Sequence, residues 1–305
     1  MIFTCTLSPA IDYTVYTKEF EAGKLNRADQ VHYFPGGKGI NVSRILTRLH
    51  IENTALGFLG GFTGKFIKDF LKKEQVKQQF IEVESITRMN VKIKSNAETE
   101  INGNGPVITT DQQDKLFTQI EQLTSDDILV LAGSIPNTLP NNFYEKIASS
   151  CKERGAKLVV DTSQDALKEM IQFQPFLIKP NHHELGELFQ TNIETAQDAV
   201  TYAKKLVDQG VQNVIVSMGG KGAIFINEKD VFEANIPKGT VKNTVGAGDS
   251  VVSGFLASYI QNADYKEAFQ YGVAAGTATA FSEDLCTKED LEAILKNVTI
   301  LEKNF

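Results

Sequence analysis

Asn243-Thr-Val-Gly-Ala-Gly-Asp-Ser-Val-Val-Ser-Gly254 is the stretch whose reading decides the fold. Thr244 and Val245 end an extended run. Gly246-Ala247-Gly248 is a tight turn of small residues. From Ala247 to about Tyr259 the residues are small or apolar without proline, the pattern of a packed helix. Glycine lets a backbone approach a ligand closely. The first turn of a helix carries unpaired N–H groups and the positive end of a dipole, so turn and helix together make an anion site. Asp249 lies in that first turn, where a carboxylate is electrostatically favoured; ionised at neutral pH, it can also accept a proton. Two readings fit these residues alone: a hole for a transferring phosphoryl group with a base beside it, or a glycine-rich turn whose Asp caps the helix.

A second such turn, Pro35-Gly-Gly-Lys-Gly39, feeds a helix over 40–49, with Val42, Ile45, Leu46 and Leu49 at helical spacing. Apolar strands are expected at 1–7, 55–60 and 80–84, with a helix to about 74 between the last two. From Gln112 onward helices and apolar strands alternate: helices at 112–122, 141–153 and 196–209, strands at 128–132, 157–161, 176–179 and 213–217. A hairpin to about Pro237 follows, and helices 247–261, 264–281 and 287–297 close the chain. This rhythm predicts an α/β fold, a mainly parallel central sheet with helices on both faces. Ligands in such sheets bind beyond the carboxyl ends of the strands, where Asn181, Ser217, Gly219 and Gly246–Asp249 are expected to converge. Four short segments with period-two alternation, 11–17, 28–34, 89–95 and 99–102, stand outside the rhythm. They predict one small lid sheet inserted in two pieces, at about 11–34 and 88–103, into a single domain spanning 1–305.

Composition narrows the function. The 305 residues are 42% hydrophobic and 23% charged, and the net charge of −7 argues against nucleic acid as a partner. Cys5, Cys151 and Cys286 have no metal or redox spacing and suit a reducing compartment. The start, Met1-Ile-Phe-Thr-Cys-Thr-Leu7, reads as a strand rather than a signal peptide, and no apolar run of about 18 residues suggests a membrane span. A cytoplasmic protein is expected. His32, His50, His182 and His183 lack zinc-ligand spacing. Neither glycine turn is a P-loop, and no Gly-x-Gly-x-x-Gly follows the first strand, which disfavours an NAD-linked oxidoreductase.

Gly36-Gly-Lys-Gly-Ile-Asn-Val-Ser43 and Asn243–Gly254 resemble the two signature segments of the ribokinase-like (PfkB) sugar kinases, the group that includes bacterial 1-phosphofructokinase and tagatose-6-phosphate kinase. Thr6-Leu-Ser-Pro-Ala-Ile-Asp12, Gly133-Ser-Ile-Pro136, Lys179-Pro-Asn-His-His-Glu184 and Ser217-Met-Gly-Gly-Lys-Gly222 resemble further family segments, in family order, so the likeness covers nearly the whole chain. It implies a kinase using ATP and Mg²⁺ on a phosphorylated ketohexose. Asp249 matches the base that takes the proton of the sugar hydroxyl, and the backbone of Gly246, Ala247 and Gly248 the hole for the transferring phosphoryl. Asp12 matches a sugar-hydroxyl ligand, Gly37 would let the backbone approach the sugar, Asn41 can donate and accept hydrogen bonds to it, and Lys38 would meet a phosphate as a point charge. Arg88 matches the residue that grips the sugar's own phosphate, with Ser134 and Lys24 as further candidates. On the nucleotide side Ser217, Gly219, Gly222 and Gly248 would line the ATP site, and Asn181 with Glu184 would position magnesium. The segments 2–12, 87–93 and 101–106 are more similar to the 1-phosphofructokinases than to their neighbours. The expected reaction is therefore phosphorylation of fructose 1-phosphate at its 6-hydroxyl, with tagatose 6-phosphate and then fructose 6-phosphate as alternatives. A non-catalytic nucleotide or sugar-phosphate sensor is the reading of a different class, and a sensor has no need of a base. Ile11, Tyr13, Val15, Val31, Tyr33, Val91 and Ile93 would leave one lid face apolar, so a homodimer through the lid sheet is expected.

Overall fold

Strands of Val, Ile and Leu with no polar alternation must be covered on both faces, and that requirement organises the chain. The computed structural model describes residues 1–162 and 164–303. In chain order the strands are β1 (Ile2–Thr6), β2 (Ala10–Tyr16), β3 (Gln30–Gly36), β4 (Asn53–Gly60), β5 (Lys77–Gln78), β6 (Ile81–Val83), β7 (Arg88–Lys94), β8 (Glu98–Asn102), β9 (Ile128–Ala132), β10 (Lys157–Asp161), β11 (Leu177–Ile178), β12 (Asn213–Ser217), β13 (Ala223–Asn227), β14 (Val231–Ala234) and β15 (Ile300–Lys303). The main sheet runs β15-β14-β13-β12-β11-β10-β9-β1-β4-β5, with β6 also on β4. From β12 through β4 neighbouring strands are parallel; β13, β14 and β15 add an antiparallel edge.

Helices cover both faces. The helices α1 (Lys38–Arg48) and α2 (Gly61–Lys73) come first, then α3 (Thr110–Ile120), α4 (Phe143–Glu153), α5 (Gln164–Met170), α6 (His182–Leu188), α7 (Ala196–Asp208), α8 (Ala247–Asn262), α9 (Tyr265–Ala280) and α10 (Lys288–Leu295). One core, around Leu129, Leu131, Phe143, Ile147 and Leu206, lies under α3 to α7. The other, around Val130, Ile215, Phe225, Phe255 and Phe269, lies under α1 and α8 to α10. The α8 helix is apolar all round because it is enclosed between the sheet, α1 and α9. Its crossing with α9 is close: a Cβ on Gly254 would lie 2.8 Å from the Cβ of Ala275.

The four alternating segments do form one separate sheet, in the order β3-β2-β7-β8, with β2 and β7 parallel. Its register places Asp12, Asn90, Lys92 and Lys94 on one face, the face that lines the cleft. The other face carries the apolar residues, of which Tyr33, Met89 and Ile101 are exposed. Tyr33 stacks on Tyr13 and rests on Phe66 of α2, which seats the lid edge on the main domain.

Several sequence expectations are revised. Lys38 opens α1 rather than belonging to the preceding turn, because Gly37, at φ 116°, takes the N-cap position that a side chain could not adopt. The short strands β5 and β15 carry too few residues for their alternation to be read. Thr244 and Val245 do not end a sheet strand: β14 stops at Ala234, and 235–246 runs irregularly to α8. The Gly246–Gly248 turn is thus reached by a loop, and the resemblance of that loop to a strand came from β-branched Thr240, Val241, Thr244 and Val245. Among the described residues no helix is long and apolar enough to cross a membrane.

Candidate active site

The parallel strands all end on one side of the sheet, and what lies at those ends is polar. Thr6 ends β1, Gly133 and Ser134 follow β9, Asp161 ends β10, Lys179 follows β11 and Ser217 ends β12. With the lid's inner face and the start of α8 they enclose a cleft of about 720 Å³. Of the residues singled out from sequence, Asp12, Gly37, Lys38, Asn41, Arg88, Ser134, Asn181, Glu184, Ser217, Gly246, Gly248 and Asp249 all line it.

Its floor is the entry to α8. Gly246 is the N-cap in the left-handed conformation, φ 78°, which reverses the chain so that the helix end faces the cleft. Ser250 N–H already donates to the Gly246 carbonyl at 2.8 Å and Ala247 N–H to that of Thr244 at 3.3 Å. The N–H groups of Gly246, Gly248 and Asp249 have no backbone partner among the described residues, so they are the donors a bound anion would meet. Ala247, expected in the hole, has its N–H engaged and does not line the cleft.

Asp249 is buried, and Asn41 Nδ2 donates to its Oδ2 at 2.8 Å. Burial first, and the charge of Asp161 second, push its pKa up from 3.8 to about 6, against the opposing pull of Lys38, Asn41 and Lys179. It is a carboxylate kept basic by its surroundings and still ionised at neutral pH. Among the described residues the Asp249 carboxylate accepts from Asn41 and makes no hydrogen bond to a backbone N–H of α8, so it does not serve as a hydrogen-bonding cap.

Two residues at the centre of this constellation escaped the sequence reading. Asp161, buried, is paired with Lys38 Nζ at 2.8 Å and Lys179 Nζ at 3.6 Å. Burial alone would raise its pKa, but Lys179 and Lys38 hold it below the ordinary carboxylate value. Lys38 in turn is held charged: burial opposes it, yet Asp161 and Asp249 raise its pKa above that of a free lysine. Lys179 is itself buried, and its ammonium fills the space where Gly248 has no side chain; a Cβ there would sit 2.9 Å from Nζ. A cation beside the helix entry adds charge to an anion site built of backbone. The signal was present: each is a charged residue directly ending a run of apolar strand residues, Leu158-Val-Val-Asp161 and Phe176-Leu-Ile-Lys179.

On the lid side Asn90 Nδ2 donates to Asp12 Oδ1 at 2.9 Å. Arg88 is under-satisfied. Its Nη1 makes one 3.3 Å bond to the Gly103 carbonyl, and its buried Nε has no partner among the described residues. On the opposite side Asn181 and Glu184 form a reciprocal capping box at the start of α6, at 2.8 and 2.9 Å. One Glu184 oxygen is spent on that box and the other is left toward the cleft. No cluster of three or more potential metal ligands occurs among the described residues.

Besides Ala247, three expected contacts fall outside the cleft. Lys24 is exposed at the lid turn and pairs with Glu21 at 2.5 Å. Gly219 and Gly222 lie in the turn after β12 without lining the cavity. At Gly222 the requirement is structural, since φ is 113° and a Cβ would strike the Ala234 carbonyl at 2.3 Å.

The pfkB family carbohydrate kinase model matches residues 4–291. Over 300 residues the chain is 51% identical to a 1-phosphofructokinase of Bacillus subtilis, covering 98% of this chain and 99% of that protein. It is 35% identical over 301 residues to a D-tagatose-1-phosphate kinase of Bacillus licheniformis, covering 98% and 99%. The solved structure of phosphofructokinase-2 from Escherichia coli, in complex with substrates and products, aligns with a TM-score of 0.92 at 29% identity over 97% of this chain and 98% of that one. A buried, basic carboxylate at a glycine-bounded helix entry, under a β-lid and at the ends of a parallel sheet, therefore comes with full-length similarity in sequence and fold: the chain belongs to the pfkB family of carbohydrate kinases.

Proposed function

We propose that this sugar-phosphate kinase transfers the γ-phosphoryl group of ATP to the 6-hydroxyl of fructose 1-phosphate, giving fructose 1,6-bisphosphate and ADP. The observation that carries the site assignment is Asp249, buried, held by Asn41 at 2.8 Å and raised to a pKa of about 6 beside the Gly246 helix entry. A general base works best with a pKa near the working pH. In this reading the 6-hydroxyl donates to the Asp249 carboxylate. As its oxygen bonds to the γ-phosphorus, the bond from that phosphorus to the bridging oxygen breaks, ADP leaves, and Asp249 takes the proton. The N–H groups of Gly246, Gly248 and Asp249 and the Lys179 ammonium face the charge of the transferring group, and such pre-aimed donors are a major source of catalysis.

The remaining residues position the sugar. Asp12, held by Asn90, accepts from sugar hydroxyls, and Gly37 lets the backbone of the α1 entry come close to the ring. Asn41 fixes the carboxylate, and Lys38 holds Asp161. Arg88 meets the sugar's own phosphate; a guanidinium with an unpartnered buried Nε suits a ligand that brings oxygen acceptors. Ser134 stands at the same end of the cleft, whereas Lys24 reaches a phosphate only if the lid of another subunit carries it. Ser217 and Asn181 lie on the nucleotide side.

Magnesium fits the residues present in a limited way. Lysines occupy Asp161, so Glu184 is the carboxylate available, and the ion would take its other ligands from phosphate oxygens and water, as Mg²⁺ commonly does. Bound there, it supplies charge neutralisation for the phosphates. The exposed apolar residues of the outer lid face, Tyr33, Met89 and Ile101, support a homodimer with the two lids packed together.

The D-tagatose-1-phosphate kinase relative favours one second reading, tagatose 1-phosphate, which differs from fructose 1-phosphate at a single ring carbon. A coupled ADP-release assay over fructose 1-phosphate, tagatose 1-phosphate, tagatose 6-phosphate and fructose 6-phosphate tests the assignment. The highest kcat/KM is expected with fructose 1-phosphate; a higher value with any other member refutes it.

A further inference from the structure

A charged cluster outside the cleft, half-buried around one fully buried arginine, takes no part in the chemistry above. Arg44, on α1, is 1% exposed. Its Nε and Nη2 donate to the two oxygens of Glu74 at 2.7 and 3.0 Å, and its Nη1 and Nη2 to those of Asp284 at 3.2 and 2.6 Å. Arg48, one turn on, reaches the same two carboxylates at 2.7 and 2.8 Å and also donates to the carbonyls of Leu285 and Cys286. The guanidinium of Arg44 sits 5.0 Å over the ring of Phe70. A buried arginine paired with half-buried carboxylates does little for stability that apolar side chains would not do as well; what such a cluster can specify is geometry.

The geometry it specifies is that of the turn after α9. Leu285, the residue after Asp284, lies against Gly246, where a Cβ would be 2.4 Å from its Cδ2. Cys286 N–H donates to Thr279 Oγ1 at 3.1 Å, and Thr279 Oγ1 is 2.7 Å from the hydroxyl of Ser250. Ser250 in turn donates through both N–H and Oγ to the Gly246 carbonyl, each at 2.8 Å. Two routes therefore run from the turn to the first turn of α8, one by packing and one by hydrogen bonds. Asn41, three residues before Arg44 on α1, holds Asp249 directly.

We propose that Arg44 is a positioning residue of the phosphoryl-transfer site: through Asp284 it fixes the 281–286 turn, and that turn fixes the left-handed helix entry at Gly246 that carries Asp249. The inference rests on the role given to Asp249 above. A side chain remote from the chemistry can matter this much because displacing a reacting group by about 1 Å costs as much as 100-fold in rate.

Asp284→Asn keeps the shape and removes the charge that Arg44 grips; Leu285→Ala keeps every charge and removes the contact on Gly246. Each is expected to lower kcat roughly 10- to 100-fold, with KM for sugar phosphate and for ATP within about twofold. The double variant should be no worse than the poorer single one, since Asp284 acts on Gly246 through the same turn that carries Leu285. Kcat within twofold of the parent in folded variants, loss expressed only in KM, or losses that multiply would each overturn the proposal. If Asp284→Asn does not fold, Arg44→Lys, which keeps the charge and loses the two-pronged grip on Asp284, takes its place with the same expected and overturning outcomes. Asp249→Asn, assayed in parallel, separates the two readings. Turnover by that variant removes the base assignment itself; an inactive Asp249→Asn beside normal turn variants removes only the role of Arg44.

Discussion

Replacing Asp249 with Asn should make the protein more stable while nearly abolishing its turnover. The fold holds this carboxyl at a pKa of about 6 against an ordinary 3.8, chiefly through burial and the charge of Asp161. A folded-state pKa above the unfolded one means the native protein binds the proton more tightly, so at high pH the ionised form opposes folding. A shift of about two units at about 1.4 kcal/mol each places that cost near 3 kcal/mol above pH 6. Asn is close in shape, cannot ionise, and can still accept the Asn41 hydrogen bond through its carbonyl. The stability gain should be full at pH 8, fall to about half at pH 5, and vanish only below about pH 3, where Asp249 is protonated in both states. Urea unfolding of parent and variant at pH 8 and pH 5 measures it. Kcat at pH 8 should drop by about 10² to 10⁴, the usual range for loss of a general base. A variant that is less stable at pH 8, or whose gain does not change with pH, would refute the account of Asp249 as a strained buried base. Near-normal kcat would refute its role.

The remaining predictions follow from the neighbours of that carboxylate. Kcat/KM should fall about tenfold per pH unit below about 6, because Asp249 must be unprotonated; a rate flat down to pH 5 would contradict it. Asp161→Asn removes the second cause of the raised pKa, so the acid limb should move to lower pH, and the two lysines left without their carboxylate should cost about 3–5 kcal/mol of stability. An unmoved limb in a folded variant would show that Asp161 does not act on Asp249. Arg88→Ala should raise KM for the sugar phosphate about tenfold or more while the KM for ATP stays within twofold; equal weakening of both ligands would argue against the phosphate contact. Ile101→Lys, on the exposed outer face of the lid, should give a monomer by light scattering with an intact fold, and an unchanged dimer would place the interface elsewhere.

The frame of the molecule was legible because each of its elements carries a local pattern. Unbroken apolar runs such as Ile128–Ala132 and Asn213–Ser217 must be buried on both faces, and period-two segments such as Ala10–Tyr16 must be half-covered, so core and lid separate before any contact is known. The glycine turns could be read for the same reason. Gly37 and Gly246 both adopt positive φ, at 116° and 78°, and a chain that must turn so sharply into a helix announces it with a residue lacking Cβ. What could not be read depends on pairs distant in sequence. The end of an apolar run marks the position of Asp161, but its partners Lys38 and Lys179 lie 123 and 18 residues away, so the pairing itself has no local signature. Lys24, an isolated lysine on a glycine turn, looks the same to a sequence whether it faces its own cleft or solvent; here it faces solvent.

The α1 helix shows how these two kinds of information meet. Its apolar residues Val42, Ile45 and Leu46, with Leu49 just beyond its end, have the helical spacing expected of a buried face, and they pack in the core on the sheet. Its polar residues, Lys38, Asn41, Arg44 and Arg48, recur at intervals of three or four and would ordinarily mark the solvated side of a surface helix. The structure turns most of that stripe inward, because α8 and the 281–286 turn lie on top of it. There Lys38 meets Asp161, Asn41 meets Asp249, and the two arginines meet Glu74 and Asp284. A stripe that must find four separate partners constrains the helix along its length far more tightly than apolar contacts, which tolerate sliding. The carboxylate that the fold holds at an energetic cost is thus fastened, through Asn41, to a helix held along its length by side-chain partners. Rigidity there is what lets an ionised aspartate stay buried, still basic, at the point where a phosphoryl group would arrive.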